Sequence, residues 1–298
     1  AGDANKLRNL KALYDAEWAW RMKEFGQIKE EGQWKSDDHL PRVDAASQER
    51  RRDYWKNMLA QVDKIPVDQL SPEERIHAAV FRTNLEEGIN DARFREWEMP
   101  FDSDTSFWAY LNPRQGFRTA EEYRRYLGRM RDIPRYFDEQ VANMRAGLKR
   151  GFTPPRVTLT GRDTSLEPFT TRDTAKNPFF DPFEMMPASI PAAEQERMKA
   201  EATALIRDQI APAYVKLLSF IRNDYVPKTR TTIAAKDAPE GDAWYRSNVR
   251  QYSTLELSPE ETHQIGLKEV ARIEAEMKQT IAKTGFKGSF AEFLHFLK

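Results

Sequence analysis

Four times along this chain a Ser or Thr stands three residues ahead of a Glu at the head of an apolar stripe: Ser71-Pro72-Glu73-Glu74, Thr119-Ala120-Glu121-Glu122, Ser258-Pro259-Glu260-Glu261 and Ser289-Phe290-Ala291-Glu292. The hydroxyl can accept a backbone N–H inside the new helix, and the carboxylate can reach back to the cap N–H. Two donors that a helix start leaves orphaned are thereby satisfied. Pro72 adds a residue that has no N–H to lose at that position. Such punctuation commits most of the chain to helix.

The spacing fills in the elements. Leu7, Leu10, Leu13, Tyr14, Trp18 and Met22 recur at helical period and predict an amphipathic helix ending near Gly26 or Gly32. Helices are expected over 45–65, from the Ser71 cap toward Phe94, and from Thr119 to about Arg150, with Pro134 as a kink and Gly151 as the stop. They resume over 192–225, interrupted by Pro212, and from Ser258 to about Lys283.

The stretch 152–191 is different: Pro154, Pro155, Pro168, Pro178, Pro182, Pro187 and Pro191 predict a long ordered loop, and Phe169, Phe179, Phe180 and Phe183 predict that it packs onto the helices. Short strands are expected at 156–160, 231–233 and 249–254. The expected fold is mainly α, a multi-helix array with a long Pro-rich loop and a few short strands. It is read as a single helical domain over 1–298, with sub-regions 1–151, 152–191 and 192–298. The start at Ala1 suggests a processed or engineered terminus, and the apolar stripe Phe290, Phe293, Leu294 and Leu297, broken off at Lys298, predicts that the natural polypeptide continues.

Composition excludes several classes. Lys plus Arg number 47 and Asp plus Glu number 47, so no net field gathers phosphate backbones or anionic lipid, and nucleic acid is not an expected partner. Arg118, Arg124, Arg125, Arg129, Arg131 and Arg135 are interleaved with acids and read as a solvated helix face. With no cysteine there can be no disulfide, thiolate zinc site or cysteine nucleophile. No apolar run approaches the ~20 residues of a membrane span.

Local catalytic motifs are missing: there is no His-Glu-x-x-His, Gly-x-Ser-x-Gly, Walker loop or dinucleotide glycine fingerprint. The chain holds no complete set of metal ligands and no nucleophile able to act alone. Three of its four histidines follow a glutamate by three residues (Glu74 and His77, Glu260 and His263, Glu292 and His295), the spacing a di-iron bundle uses. Helix capping explains the same spacing without a metal. The run Trp97 to Trp108 sets Glu98, Asp102 and Asp104 among aromatics, the residue mix of a glycosidase site, while Asp102, Ser103, Asp104 and Ser106 are equally good cap and turn residues.

The same run, with Glu-Met-Pro-Phe-Asp-Ser-Asp-Thr-Ser-Phe-Trp at Glu98 to Trp108, resembles the N-terminal half of the bacterial domain-of-unknown-function family 885. So do Tyr136 to Gln140, Asn143-Met144-Arg145, Gly151 to Pro155, Asn177-Pro178-Phe179, Gly241 to Tyr245 and Ser258 to Leu267.

Members of that family resemble helical zincin metallopeptidases of about twice this length, and their presumed zinc motif lies in the C-terminal half. The resemblance therefore implies a zinc-dependent peptide hydrolase, with this chain as the non-catalytic N-terminal half and one wall of the substrate groove. Zinc is implied for the full-length protein and none for this chain. The implied partners are a peptide substrate and the C-terminal half. Export signals in many members imply a periplasmic or secreted location. The residues it points to for substrate contact are Tyr245, Arg246 and His263, where a Tyr hydroxyl or neutral His could hydrogen-bond an oxyanion and Arg could hold a carboxylate. The alternative is a stand-alone helical module that binds a peptide or protein without catalysis.

Overall fold

Each of the four hydroxyl-to-glutamate signatures opens a helix, and in each both halves of the capping box are formed. The structure, a computed structural model, describes residues 2–113 and 116–298, with side chains from residue 10 onward; Leu7 of the first expected stripe lies outside the described side chains. The chain divides into two compact units, Ala1–Pro239 and Glu240–Lys298. None of the helices among the described residues is long and apolar enough to cross a membrane.

In the first unit, α1 (Gly2–Glu24), α2 (Ala45–Val62) and α3 (Pro72–Phe94) enclose a small core of Leu10, Met58, Val62, Phe81 and Leu85. Between α1 and α2 runs a hairpin of β1 (Gln27–Glu30) and β2 (Gln33–Ser36), paired antiparallel with Ile28 opposite Lys35. Its two turn residues, Glu31 and Gly32, have φ of 50° and 80°, the doubly left-handed turn whose twist suits a tight hairpin. This is the one strand pair among the described residues. The strands expected elsewhere are absent. Residues 156–159 form a single 3₁₀ turn, 249–253 finish a helix, and 231–233 take no ladder partner. β-branched residues favour a strand only where a neighbouring strand exists to pair with. At Arg156 the backbone N–H donates to the Arg230 carbonyl and the guanidinium to the carbonyls of Val226 and Thr229, so what this segment meets is an irregular stretch and not a strand.

The larger core is built on α4 (Ala120–Arg150), which passes through Pro134 unbroken. Tyr123 and Tyr126 donate from α4 to the carbonyls of Pro182 (2.7 Å) and Phe179 (3.1 Å), which pegs the Pro-rich stretch to the helix. Asn177, 1% exposed, holds that stretch folded by donating to the carbonyls of Phe169 and Thr171 while accepting from the Phe179 N–H. The stretch is thus a chain of 3₁₀ turns with one short helix, α5 (Asp181–Glu184), and it packs as its phenylalanines predict.

After it, α6 (Ala192–Leu205) and α7 (Ala211–Ser219) continue one another through a π-helical turn, Ile206–Ile210, and a second π turn, Phe220–Tyr225, follows. Pro212 does not interrupt the helix, because the wider turn before it relieves the clash of its ring with the carbonyl four residues back.

The arginines of α4 correct the expectation of a solvated face. Arg124 and Arg131 do lie at the surface, paired with Glu194 and Glu201. Arg125, Arg129 and Arg135 instead join Asp132, Glu139 and Asn143 in a polar row that grips the segment 30–43. Arg125 pairs with Glu30 (2.5 Å), and Arg129 donates to the Asp37 carbonyl (2.6 Å). Asp132 and Glu139 accept the backbone N–H of Leu40 and Val43, both at 2.8 Å, and Asn143 donates to the Val43 carbonyl at 2.7 Å. Burial pushes the Glu139 carboxyl up, but the Val43 N–H with Arg42 and Arg135 holds it below the usual carboxylate range.

On α3, Asp91 has no such compensation: burial, then the charges of Glu96 and Glu87, push its pKa to about 7. A carboxyl raised in the folded state has no effect on stability below its unfolded pKa. It costs stability progressively as pH rises toward the folded value. A rise of that size corresponds to about 4 kcal/mol, and solvent screening of this partly exposed group roughly halves it, so Asp91→Asn is expected to stabilise the protein by about 2 kcal/mol at pH 8 and to be near neutral at pH 4. Urea midpoints at the two pH values check this, and equal shifts at both would refute it.

Candidate substrate-binding face

In the second unit, α8 (Gly241–Ser253) is bounded by two left-handed residues, Glu240 (φ 52°) and Thr254 (φ 61°), which turn the chain into α9 (Pro259–Lys283) and then α10 (Phe290–Phe296). Ser258 starts α9. Its N–H and hydroxyl hold the Glu261 carboxyl below its ordinary range, and the charge of Arg246 on α8 adds a smaller pull. Tyr245, the residue before it, is 45% exposed. His263, two residues beyond Glu261, is also exposed. The expected contact residues are thus divided between two helices, Tyr245 and Arg246 on α8 and His263 on α9, and all three are exposed; no hydrogen bond or ion pair among the described residues joins them.

One feature of this unit escaped the sequence reading. On α9, His263, Gly266, Val270, Ile273 and Met277 recur at steps of three and four and share one helix face. Val270 is 64%, Ile273 45% and Met277 40% exposed, so this apolar face is uncovered along the helix. The flank is charged and self-paired: Arg272 bridges Glu269 at 2.8 Å and Glu276 at 2.7 Å. The signal is legible in the sequence as a 3–4 repeat, which follows directly on the stronger cap signature at Ser258. At α10, Leu294, Phe296 and the C-cap residue Leu297 are likewise open, while Phe286 meets Phe293 edge-on and Phe296 at a tilt.

The other motifs resolve into structure. Glu74 and Glu292 spend a carboxylate oxygen on the cap N–H of Ser71 (2.8 Å) and Ser289 (2.6 Å), and Glu260 takes the Gln264 amide. Among the described residues the one grouping with metal-ligand reach is Asp37, Asp38 and His39, where His39 Nδ1 lies 3.3 Å from Asp38 and 3.8 Å from Asp37. Of the carboxylates considered for glycosidase chemistry, Glu98 is buried and bound by Arg150 at 2.6 Å. Asp102 accepts the N–H groups of Asp104 (2.8 Å) and Thr105 (2.7 Å). Cap and core roles account for both.

Residues 24–298 match the family model described as bacterial protein of unknown function (DUF885). The curated proteins contain no significant match. Among solved structures, a candidate lipoprotein from Colwellia psychrerythraea is similar over 96% of this chain and 50% of its own, with a TM-score of 0.71 and 19% sequence identity. That likeness shows a shared fold, and the chain spans about half the length of that protein.

Proposed function

The chain belongs to the bacterial family of unknown function DUF885, and from that premise we propose that it is the helical, non-catalytic part of a zinc-dependent peptide hydrolase, forming one wall of the substrate groove. The observation that carries the reading is exposure: Tyr245 and Arg246 on α8 and His263 on α9 are open, and so is the apolar stripe Val270, Ile273 and Met277 that follows His263 along α9. Peptides offer both kinds of contact, alternating backbone amides with apolar side chains. Tyr245 and His263 would donate to the oxyanion formed when a peptide carbonyl is attacked, and Arg246 would hold a substrate carboxylate.

Zinc would lie outside this chain. Asp37, Asp38 and His39 are consecutive residues on the surface, with Asp38 68% and His39 45% exposed in their side chains. Catalytic zinc takes ligands fixed by a supporting shell in a dry cavity, and these do not fit it. The half-length match supports a partner segment in the longer protein, and the C. psychrerythraea relative supports a location outside the cytoplasm.

The protein purified from its native source is expected to have a mass about twice the 34.7 kDa of this chain and to carry zinc. In that protein Tyr245→Phe, Arg246→Ala and His263→Ala are each expected to lower kcat/KM for a model peptide by about ten- to a hundredfold. Thermal stability should stay unchanged, because the three side chains are exposed. A mass equal to this chain with no metal, or unchanged kcat/KM in all three variants, would overturn the reading and leave a binding module.

A further inference from the structure

A trough of about 620 Å³ lies in the first unit, between α4 and the helix containing the two π turns. Its floor is apolar, with Phe137 and Val141 from α4 facing Ala213, Leu217 and Phe220. The helix that forms the second wall is widened at both ends, by the π turn before Pro212 and by the one starting at Phe220. Such turns push side chains out of the regular ladder and recur at functional sites.

The charges around this trough are unequal. Asp138 is bound by Lys216 at 2.7 Å, Asp208 by Arg207 at 2.7 Å, and Asp224 by Lys228 at 3.4 Å. Each lining carboxylate thus has its own cation. Arg145 is left over: its Cζ stands over the Phe220 ring, 4.6 Å from the centroid, and no described carboxylate is within ion-pair distance of it. A guanidinium held over a ring in the lining of an apolar trough is a receptor for a carboxylate, which it can grip with two parallel N–H donors.

We infer that this trough binds the free C-terminus of a peptide ending in an apolar residue, with the terminal carboxylate on Arg145 and the last side chain on Phe137, Val141 and Leu217. The rim decides between a peptide and a fatty acid. The Gln209 amide, the Ser219 hydroxyl and the exposed Asp138–Lys216 pair offer donors and acceptors that peptide amides can use and an acyl chain cannot. All residues lining this site belong to the first unit, and the inference does not depend on the proposed hydrolase activity.

The test is calorimetric titration of the full chain with N-acetyl-Ala-Ala-Leu-Phe as its free acid, its C-terminal amide, and decanoate as the lipid control. The acid is expected to bind saturably, and the amide about ten- to a hundredfold more weakly. Arg145→Gln, at an exposed position, should keep the parent's Tm, reduce the acid to the affinity of the amide, and leave the amide unchanged. Equal binding of acid and amide, an Arg145→Gln variant that binds the acid as the parent does, or decanoate binding as tightly as the peptide would each overturn the assignment.

Discussion

Gly147→Ala is expected to destabilise the protein by about 3 kcal/mol, the upper end of what overpacking costs. A methyl at this position would stand 2.5 Å from the Glu98 carbonyl oxygen and 2.8 Å from that of Phe152. Both obstacles are backbone, so neither can swing aside as a side-chain tip would. Both are also fixed. The Phe152 N–H donates to the Gly147 carbonyl at 2.9 Å and the Gly151 N–H to Leu148 at 3.2 Å, the paired bonds that close a helix through a left-handed glycine, here Gly151 with φ 79°. Glu98 is held from the other side by Arg150, which also donates to the Phe94 carbonyl at 2.9 Å. Shifting either carbonyl would therefore break the end of α4 or its seam with the end of α3. Gly266→Ala is the control: nothing lies within 4 Å of its added methyl, and there the usual helix preference for alanine should stabilise by about 0.5–1 kcal/mol. Chemical denaturation of both variants decides the matter; a Gly147→Ala midpoint equal to the parent's would show that the close approach does not exist in solution.

Trp108→Ala should cost about 3–5 kcal/mol, the range for truncating a buried aromatic. Trp108 is 0% exposed and is joined to three separate parts of the chain. Its ring packs on Phe101 (4.8 Å between centroids) and Phe107 (5.0 Å), its Nε1 donates to the Ser165 hydroxyl at 2.9 Å, and its carbonyl accepts the buried Tyr214 hydroxyl at 3.1 Å. Truncation leaves a cavity where the Pro-rich stretch, α7 and the 98–111 segment meet. Trp108→Phe separates the contributions: it keeps most of the apolar contact and loses the Ser165 bond, so about 1–2 kcal/mol is expected. Ser165 stays satisfied as a donor through the Arg162 carbonyl at 2.9 Å, which keeps that loss modest. If the Ala variant unfolds at the parent's denaturant midpoint, Trp108 is not the junction described here.

The helix starts were legible because their chemistry is local: Ser71, Thr119, Ser258 and Ser289 each meet a glutamate only three residues away. The stop at Gly151 was legible for the same reason. What failed depended on distant partners. Arg125 and Arg129 looked like surface charges because the residues they grip, Glu30 and Asp37, lie more than ninety positions earlier. The β-branched run at 156–160 looked like a strand, and no neighbouring strand arrives to make it one. The hairpin at 27–36 was passed over because its turn, Glu31-Gly32, carries only one of the residues that usually announce such a turn. Resemblance pointed to Tyr245, Arg246 and His263, but only the structure shows that they are open and that α9 carries an uncovered apolar stripe.

The sequence by itself determined that this protein is helical and where most of its helices begin, because caps and helical period act between residues within one or two turns. It also determined which residues were available for chemistry, since side-chain identity needs no fold. Only the tertiary structure decided which charges are buried, which apolar faces are covered and which cation is left unpaired. Those outcomes turn on desolvation and pairing between segments far apart in the chain, and no local pattern encodes which distant group will arrive to compensate a charge or cover a stripe.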